Sequence, residues 1–132
     1  MRWALLMGGL VIIADLATRL IEQRAGASPD VGATLEVVDN VLNAIFFSIA
    51  GTAVVRETGL IRLAALAGLL AGAIDGAVVG AAVALAPPPD VAPEVTPEAL
   101  WLSSIVLNST LGMAIAAASA WFGQLARRRT RT

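Results

Sequence analysis

Long apolar stretches alternate with short polar ones and divide the chain into four parts. The apolar parts cover about residues 3–21, 33–55, 60–85 and 100–125. At about 1.5 Å per helical residue, stretches of this length come close to the thickness of a bilayer core, about 30 Å. The sequence therefore predicts an all-α integral membrane protein, in which residues 1–132 form one domain of four transmembrane helices.

The polar breaks contain residues that begin and end helices. A Ser-Pro-Asp run at Ser28 and a Thr-Pro-Glu run at Thr96 each combine a capping residue, a proline for the first helical position and an acid for the helix dipole. Gly59 lies in a short polar turn and is typical of a helix end. Three consecutive prolines at 87–89 end the third helix, so residues 86–97 are predicted to form a Pro-rich loop.

The arginines are distributed unevenly between the two sides that four spans would create. One side holds Arg19 and Arg24. The side of both termini holds the other seven: Arg2, Arg56, Arg62, Arg127, Arg128, Arg129 and Arg131. Positive charge favours the cytoplasmic side, so both termini and the basic tail at 126–132 are predicted to be cytoplasmic and the Pro-rich loop external. A cleaved signal sequence ending near Ala25 is the alternative for the first segment, but Asp15 and Arg19 interrupt its apolar core.

Composition supports the membrane class and excludes several chemistries. Hydrophobic residues make up 58% of the chain and the mean hydropathy is +0.80, whereas about 45–50% apolar residues is usual in soluble domains. The chain has no Cys, His or Lys, so a nucleophile–base pair, a thiolate or imidazole metal site and a Schiff base are excluded. We therefore expect no enzyme and no cofactor. A net charge of −1 argues against a nucleic-acid partner, and the exclusive use of Arg suggests a prokaryotic inner membrane.

Asp75 is the only charged residue between Leu63 and Ala86. A carboxylate near the middle of a membrane helix costs on the order of 2.5–3.5 kcal/mol or more to insert, so it marks a functional site or a specific buried contact. Three functional explanations are open: the carboxyl is protonated, it binds a cation, or another chain supplies a positive group. The structural alternative is a neutral Asp that is hydrogen-bonded to Asn43 or Asn108 and holds the bundle together.

Other polar side chains are predicted at the same depth as Asp75. Counting residues from the helix ends places Asp15, Asn43 and Asn108 in one layer near the midplane. Spacings of three and four also align a stripe on the second helix, and Arg19 is one turn from Asp15 and can pair with it. The predicted ion-binding residues, which would line a vestibule opening outward, are Asp15, Arg19, Glu36, Asp39, Asn40, Asn43, Asp75 and Asn108.

Two further patterns concern assembly. Gly68, Gly72, Gly76 and Gly80 recur every four residues, which resembles a glycine zipper and serves helix packing either within the monomer or between chains. Asp15 and Asp75 end similar segments at an offset of 60, and the two asparagines of the layer follow at an offset of 65. The chain is therefore predicted to contain two tandem helical hairpins and, because it is small, to form a homo-oligomer or join a larger complex.

The function predicted from these features is a small membrane transporter or channel for protons or a hard cation. The alternatives are a non-catalytic accessory subunit of a larger membrane complex and a holin-like pore former, which the small size and basic tail favour. The run from Gly8 to Asp15 is similar to the first helix of small multidrug-resistance exporters. That resemblance is confined to the start of the chain, so no family is assigned from the sequence.

Overall fold

The computed structural model describes residues 2–25, 29–85 and 94–129 of the chain. Within these ranges all regular structure is helical, in four helices: α1 (Arg2–Ala25), α2 (Pro29–Thr58), α3 (Ile61–Leu85) and α4 (Pro97–Arg129). The described residues do not include the second half of the proposed cleavage site, most of the Pro-rich loop (86–93) or the tail residues 130–132. Helices α1, α2 and α4 are longer than predicted because a helix continues into polar flanking sequence that hydropathy does not mark.

Two helix boundaries follow the predicted local chemistry. Gly59 has a φ of 72°, and its N–H donates to the carbonyl of Val55 at 2.9 Å, so a left-handed glycine ends α2. Thr96 begins α4, because its hydroxyl oxygen accepts the N–H of Ala99 at 3.3 Å. Pro97 then occupies the first helical position, where its missing N–H costs nothing.

Among the described helices, three are long and apolar enough to cross a membrane. They are α2 from Gly32 to Thr58, α3 from Ile61 to Leu85 and α4 from Pro97 to Arg127. Helix α1 does not belong to this set; its second half carries Asp15 and Arg19. The structure thus supports a membrane-like helical bundle, while a fourth span stays a prediction.

The helices run up and down, with α3 at the centre. Helix α3 contacts each of the other three, and α2 also contacts both α1 and α4, whereas α1 and α4 do not contact each other in the described part of the chain. One end of the bundle holds the start of α1, the turn at Gly59 and the end of α4, and we name it the terminal end. The other end, where α2 and α4 begin, is named the loop end.

Helices α3 and α4 pack most closely because glycines lie between their backbones. A Cβ placed on Gly72 would be 2.5 Å from the carbonyl carbon of Asn108, and one on Gly80 would be 2.7 Å from the Cβ of Ser104. Gly68 and Gly76 are equally obstructed by the α4 backbone. The four-residue glycine stripe therefore faces α4 of the same chain, which leaves it covered rather than available as a seam between chains.

Below the predicted polar layer, the fully buried side chains of the described residues are apolar. Val11 of α1, Phe47 of α2 and Ala71 of α3 form a buried cluster with exposures of 0%, 3% and 0%. Each of them lies one helical turn toward the terminal end from a predicted site residue, namely Asp15, Asn43 and Asp75 respectively. We call this cluster the apolar floor. A second apolar cluster nearer the terminal end is formed by Val54, Val55, Ala64, Ala67 and Ala120.

Candidate functional site

Asp75 is the most deeply buried charged residue described, with 1% of its surface exposed. Its Oδ2 accepts a hydrogen bond from Nδ2 of Asn108 on α4 at 2.8 Å. Its Oδ1 is also buried and has no hydrogen-bond partner among the described residues. One oxygen of this carboxyl is therefore satisfied by α4, and the other is left to a proton or a ligand because an unpaired buried oxygen is costly.

Asp15 forms the corresponding contact in the first half of the chain. It is 5% exposed, and its Oδ1 accepts a hydrogen bond from Nδ2 of Asn43 on α2 at 3.1 Å. The carbonyl oxygen of the Asn43 side chain is buried and has no partner within the described ranges. Each buried Asp is thus held by an Asn of the next helix, at the positions that the proposed repeat aligns.

Three carboxyl groups meet at this level. The carboxyl of Asp15 lies near the carboxyls of both Asp39 and Asp75, close enough for their charges to interact. We name Asp15, Asp39 and Asp75 the carboxyl cluster. Ionised carboxylates that are neighbours in a poorly solvated interior repel each other, so a proton or a bound positive group would stabilise the cluster. The cluster joins α1, α2 and α3, and Asn108 extends it to α4.

Thr18 is a member of the site that sequence reasoning missed. Its hydroxyl lies 3.0 Å from the carbonyl oxygen of Ala14 and 3.4 Å from Oδ1 of Asp39. A hydroxyl carries a single proton, and the shorter contact to Ala14 uses it better. In the longer and weaker contact the Thr18 hydroxyl also donates, to Oδ1 of Asp39, which connects α1 to α2 at this level. The position of Thr18, three residues after Asp15, was the available signal.

Arg19 does not form the predicted ion pair with Asp15. No ion pair of Arg19 is found within the described residues. The Asp15 carboxyl is already held by Asn43, while Arg19 is half-buried one turn nearer the loop end. Arg19 thus offsets part of the negative charge of the cluster as a whole.

The predicted polar stripe on α2 is divided by the structure. Asp39 and Asn43 are half-buried and face α1, but Glu36 and Asn40 are exposed. The amide of Asn40 donates to the backbone carbonyl of Glu36 at 2.9 Å, which occupies it within its own helix. Asn40 follows Asp39 by about 100° around the helix, so both cannot face inward. Glu36 lies about two turns beyond Asn43, nearer the loop end.

The surroundings of the carboxyl cluster differ on its two sides. Toward the terminal end, the apolar floor lies directly beneath it. Toward the loop end, the next turn of three helices carries a polar residue: Arg19 on α1, Asp39 on α2 and Ser104 on α4. The corresponding residue of α3 is the apolar Val79. Polar groups therefore lead from the loop end to the cluster, and the side chains directly beneath Asp15 and Asp75 are apolar. The next polar pair toward the terminal end is Ser48 of α2 and Ser119 of α4, whose hydroxyls are hydrogen-bonded at 2.9 Å.

The described residues contain no group of three or more His, Cys, Asp or Glu side chains placed to hold a metal ion. No protein-family model matches this chain, and no curated protein or solved structure shows significant similarity to it. Any function must therefore be argued from the site itself.

Proposed function

We propose that this chain is a four-span membrane protein whose carboxyl cluster binds and releases protons, as the proton site of a small transporter. The loop end supplies the approach, and both termini are cytoplasmic. Three helices apolar enough to cross a bilayer support the membrane setting, and the uneven distribution of arginines supports the orientation. Helix α1 crosses with them, its buried Asp15 turned toward Asn43 of α2.

The observation that carries the proposal is the state of Asp75. Its side chain is 1% exposed, one oxygen is bound to Asn108, and the other lacks a donor although Asp15 lies beside it. A proton between Asp15 and Asp75 satisfies that oxygen and removes the repulsion of two buried charges. The geometry favours a proton over a hard cation, because the described ligands do not form a metal-sized site.

The charges of the cluster also favour proton binding. The cluster contains three carboxyls, and Arg19 is the positive group whose charge reaches it. Two unit charges at 4 Å interact by about 4 kcal/mol at an effective dielectric constant of 20. Full ionisation would therefore leave a net double negative charge with repulsion of several kcal/mol. Binding one or two protons removes this cost, so the occupancy of the cluster should follow the proton concentration.

The asymmetry around the cluster favours a carrier over an open pore. Protons can reach Asp39 and Asp15 from the loop end through polar side chains, but Val11, Phe47 and Ala71 close the other side. Release toward the terminal end would require the floor to open. Such two-sided access through a conformational change is the basis of transport, and an open channel would need a continuous polar path.

Proton flux into liposomes tests the proposal, with Asp75→Asn as the central variant. The substitution keeps the shape of the side chain and removes the proton-binding group, so flux driven by a pH gradient should fall to the level of empty liposomes. Glu94→Gln is the matched control, because Glu94 is an exposed acid far along the chain from the cluster and should leave flux unchanged. Helix content by circular dichroism verifies folding of both.

Exchanging the two residues of the Asp75–Asn108 pair distinguishes a role in proton transport from a role in helix packing. Asp75→Asn combined with Asn108→Asp keeps an Asp–Asn hydrogen bond between α3 and α4 but moves the carboxyl to a helix that does not contact α1 in the described chain. If protons are shared with Asp15, the swapped protein folds and transports nothing. Retained flux in the swapped protein would contradict the proposal.

An accessory membrane subunit is the second candidate, because two Asp–Asn pairs are also suited to fasten helices. In that case Asp75→Asn should be neutral or stabilising, since an amide makes the same contact without the desolvation cost of a charge. Wild-type liposomes without any flux above background, together with a stable Asp75→Asn protein, would favour this candidate.

A further inference from the structure

We infer that the terminal end of the bundle carries a binding site for an anionic phospholipid in the groove between α2 and α4. This inference rests on the membrane setting of the proposed function and is independent of proton binding. The groove has a volume of about 380 Å³ and is lined by Thr52, Val55, Arg56, Gly123, Ala126 and Arg127. It lies among exposed aromatic and basic residues at one end of two helices that are apolar enough to span a membrane.

Small residues of α4 create the groove. A Cβ placed on Gly123 would meet only the methyl group of Thr52, at 3.9 Å, so α4 stands away from α2 here. One residue away on α2, a Cβ on Gly51 would lie 2.7 Å from the Cα of Ala116, so the two helices are in backbone contact on that side. The space therefore lies on the side of Thr52 and Gly123, where it opens to the outside.

Among the described residues, the lining of the groove contains two arginines and no acid. Arg56 and Arg127 are both exposed and lie on opposite walls, one on each helix. The adjacent carboxylate, that of Glu57, is held by the guanidinium of Arg2 and, at 2.8 Å, by the indole N–H of Trp3. Two guanidinium groups flanking a cleft are suited to a phosphodiester, whose charge and planar oxygen pairs match their donors.

An apolar trough continues from Arg56 along the outer face of α2. A cavity of about 400 Å³ lined by Val41, Ala44, Ile45, Ser48, Ile49 and Thr52 shares Thr52 with the charged groove. The 16 residues from Val41 to Arg56 span about 22 Å of helix, more than half of a bilayer core of about 30 Å. A charged head with a long apolar tail has the shape and polarity of this combined surface.

These features favour a phospholipid over a free anion as the ligand of the groove. The charged groove alone would suit inorganic phosphate, but the trough adds an apolar surface that only an amphiphile uses. Basic residues at a membrane surface also favour anionic over zwitterionic headgroups. The predicted cytoplasmic position of the terminal end places this groove at the leaflet surface where such lipids are attracted.

The test measures lipid binding by the purified full chain in mild detergent, using native mass spectrometry and thermal stability. Phosphatidylglycerol should bind at least about tenfold more tightly than phosphatidylcholine and raise the melting temperature, and inorganic phosphate should do neither. Arg56→Gln with Arg127→Gln should abolish the preference. The matched control is Arg62→Gln, which removes an exposed arginine at the same end but outside the groove and should keep the preference.

A variant that fills the groove without removing an arginine tests the site independently of its charge. Gly123→Leu keeps both arginines and enters open space, so it should fold normally yet weaken phosphatidylglycerol binding about tenfold. Equal affinity for both lipids, or an equal response to inorganic phosphate, would overturn the phospholipid site. Flotation of the wild type with vesicles separates the two failures: a chain that does not float contradicts the membrane setting, and a chain that floats without lipid preference contradicts the site alone.

Discussion

The contact of α3 with α4 at Gly72 predicts the cost of a single methyl group. In Gly72→Ala the new Cβ would lie 2.5 Å from the carbonyl carbon of Asn108 and 3.0 Å from the Cα of Ser109. Both neighbours belong to the backbone, so no side-chain rotation can relieve the overlap. The two helices must separate by about 1 Å to restore ordinary contact distances.

The expected change in the free energy of unfolding of Gly72→Ala is the sum of two opposed contributions. Overpacking in a close-packed interior costs about 1–3 kcal/mol, and replacing a helical glycine by alanine returns about 0.5–1 kcal/mol, so the net destabilisation should be about 1–2 kcal/mol. The same separation lengthens the 2.8 Å hydrogen bond between Asn108 and Asp75 beyond 3.5 Å, the limit for a hydrogen bond. Gly72→Ala should therefore also reduce proton flux.

Gly9→Ala provides the matched control, because a Cβ at Gly9 meets nothing within 4 Å. This variant should be as stable as the wild type or gain up to about 1 kcal/mol from helix propensity. Unfolding in mixed micelles, followed by circular dichroism, measures both variants under the same conditions. If Gly72→Ala is as stable as Gly9→Ala, the close approach of α3 and α4 is not the arrangement in the membrane.

Two further predictions concern the ends of the helices. Thr96→Ala should destabilise the protein by about 1 kcal/mol because the N–H of Ala99 loses its cap, and Thr96→Ser should restore that stability in the same unfolding assay. Single cysteines at Glu94 and Arg62, both exposed, should react with an impermeant maleimide from outside and from inside the cell respectively. Labelling of both from one side would contradict the proposed four-span orientation.

The helices were predictable from the sequence because their boundaries depend on local chemistry. Gly59 and Thr96 act where the sequence places them, since a left-handed glycine and a hydroxyl cap need only their own neighbours. The predicted ends were short because hydropathy marks the apolar part of a helix, and α4 continues as far as Arg129. Whether α1 crosses a membrane depends on what its polar residues contact, which no single-helix pattern contains.

The sequence was sufficient to predict the level of the site residues along the helices, but not which of them contact each other. Counting residues from the helix ends placed Asp15, Asn43, Asp75 and Asn108 at one level, and the structure pairs them as Asp15 with Asn43 and Asp75 with Asn108. The pairing depends on which helices are neighbours, and spacing within one helix cannot supply that. For the same reason the sequence paired Arg19 with the nearest acid in the chain, an ion pair that is not found among the described residues.

The glycine face of α3 and its buried carboxyl are parts of one arrangement. Asp75 follows Gly72 by three residues and precedes Gly76, so it stands at the edge of the face that α4 covers. From this edge one oxygen reaches Asn108, and the carboxyl also lies beside Asp15 of α1, although α1 and α4 do not touch in the described chain. Only a helix whose neighbour approaches without side chains between them allows a residue as short as Asp to meet both. Substitutions at the glycine face should therefore change the protonation of the cluster as well as the packing of the bundle.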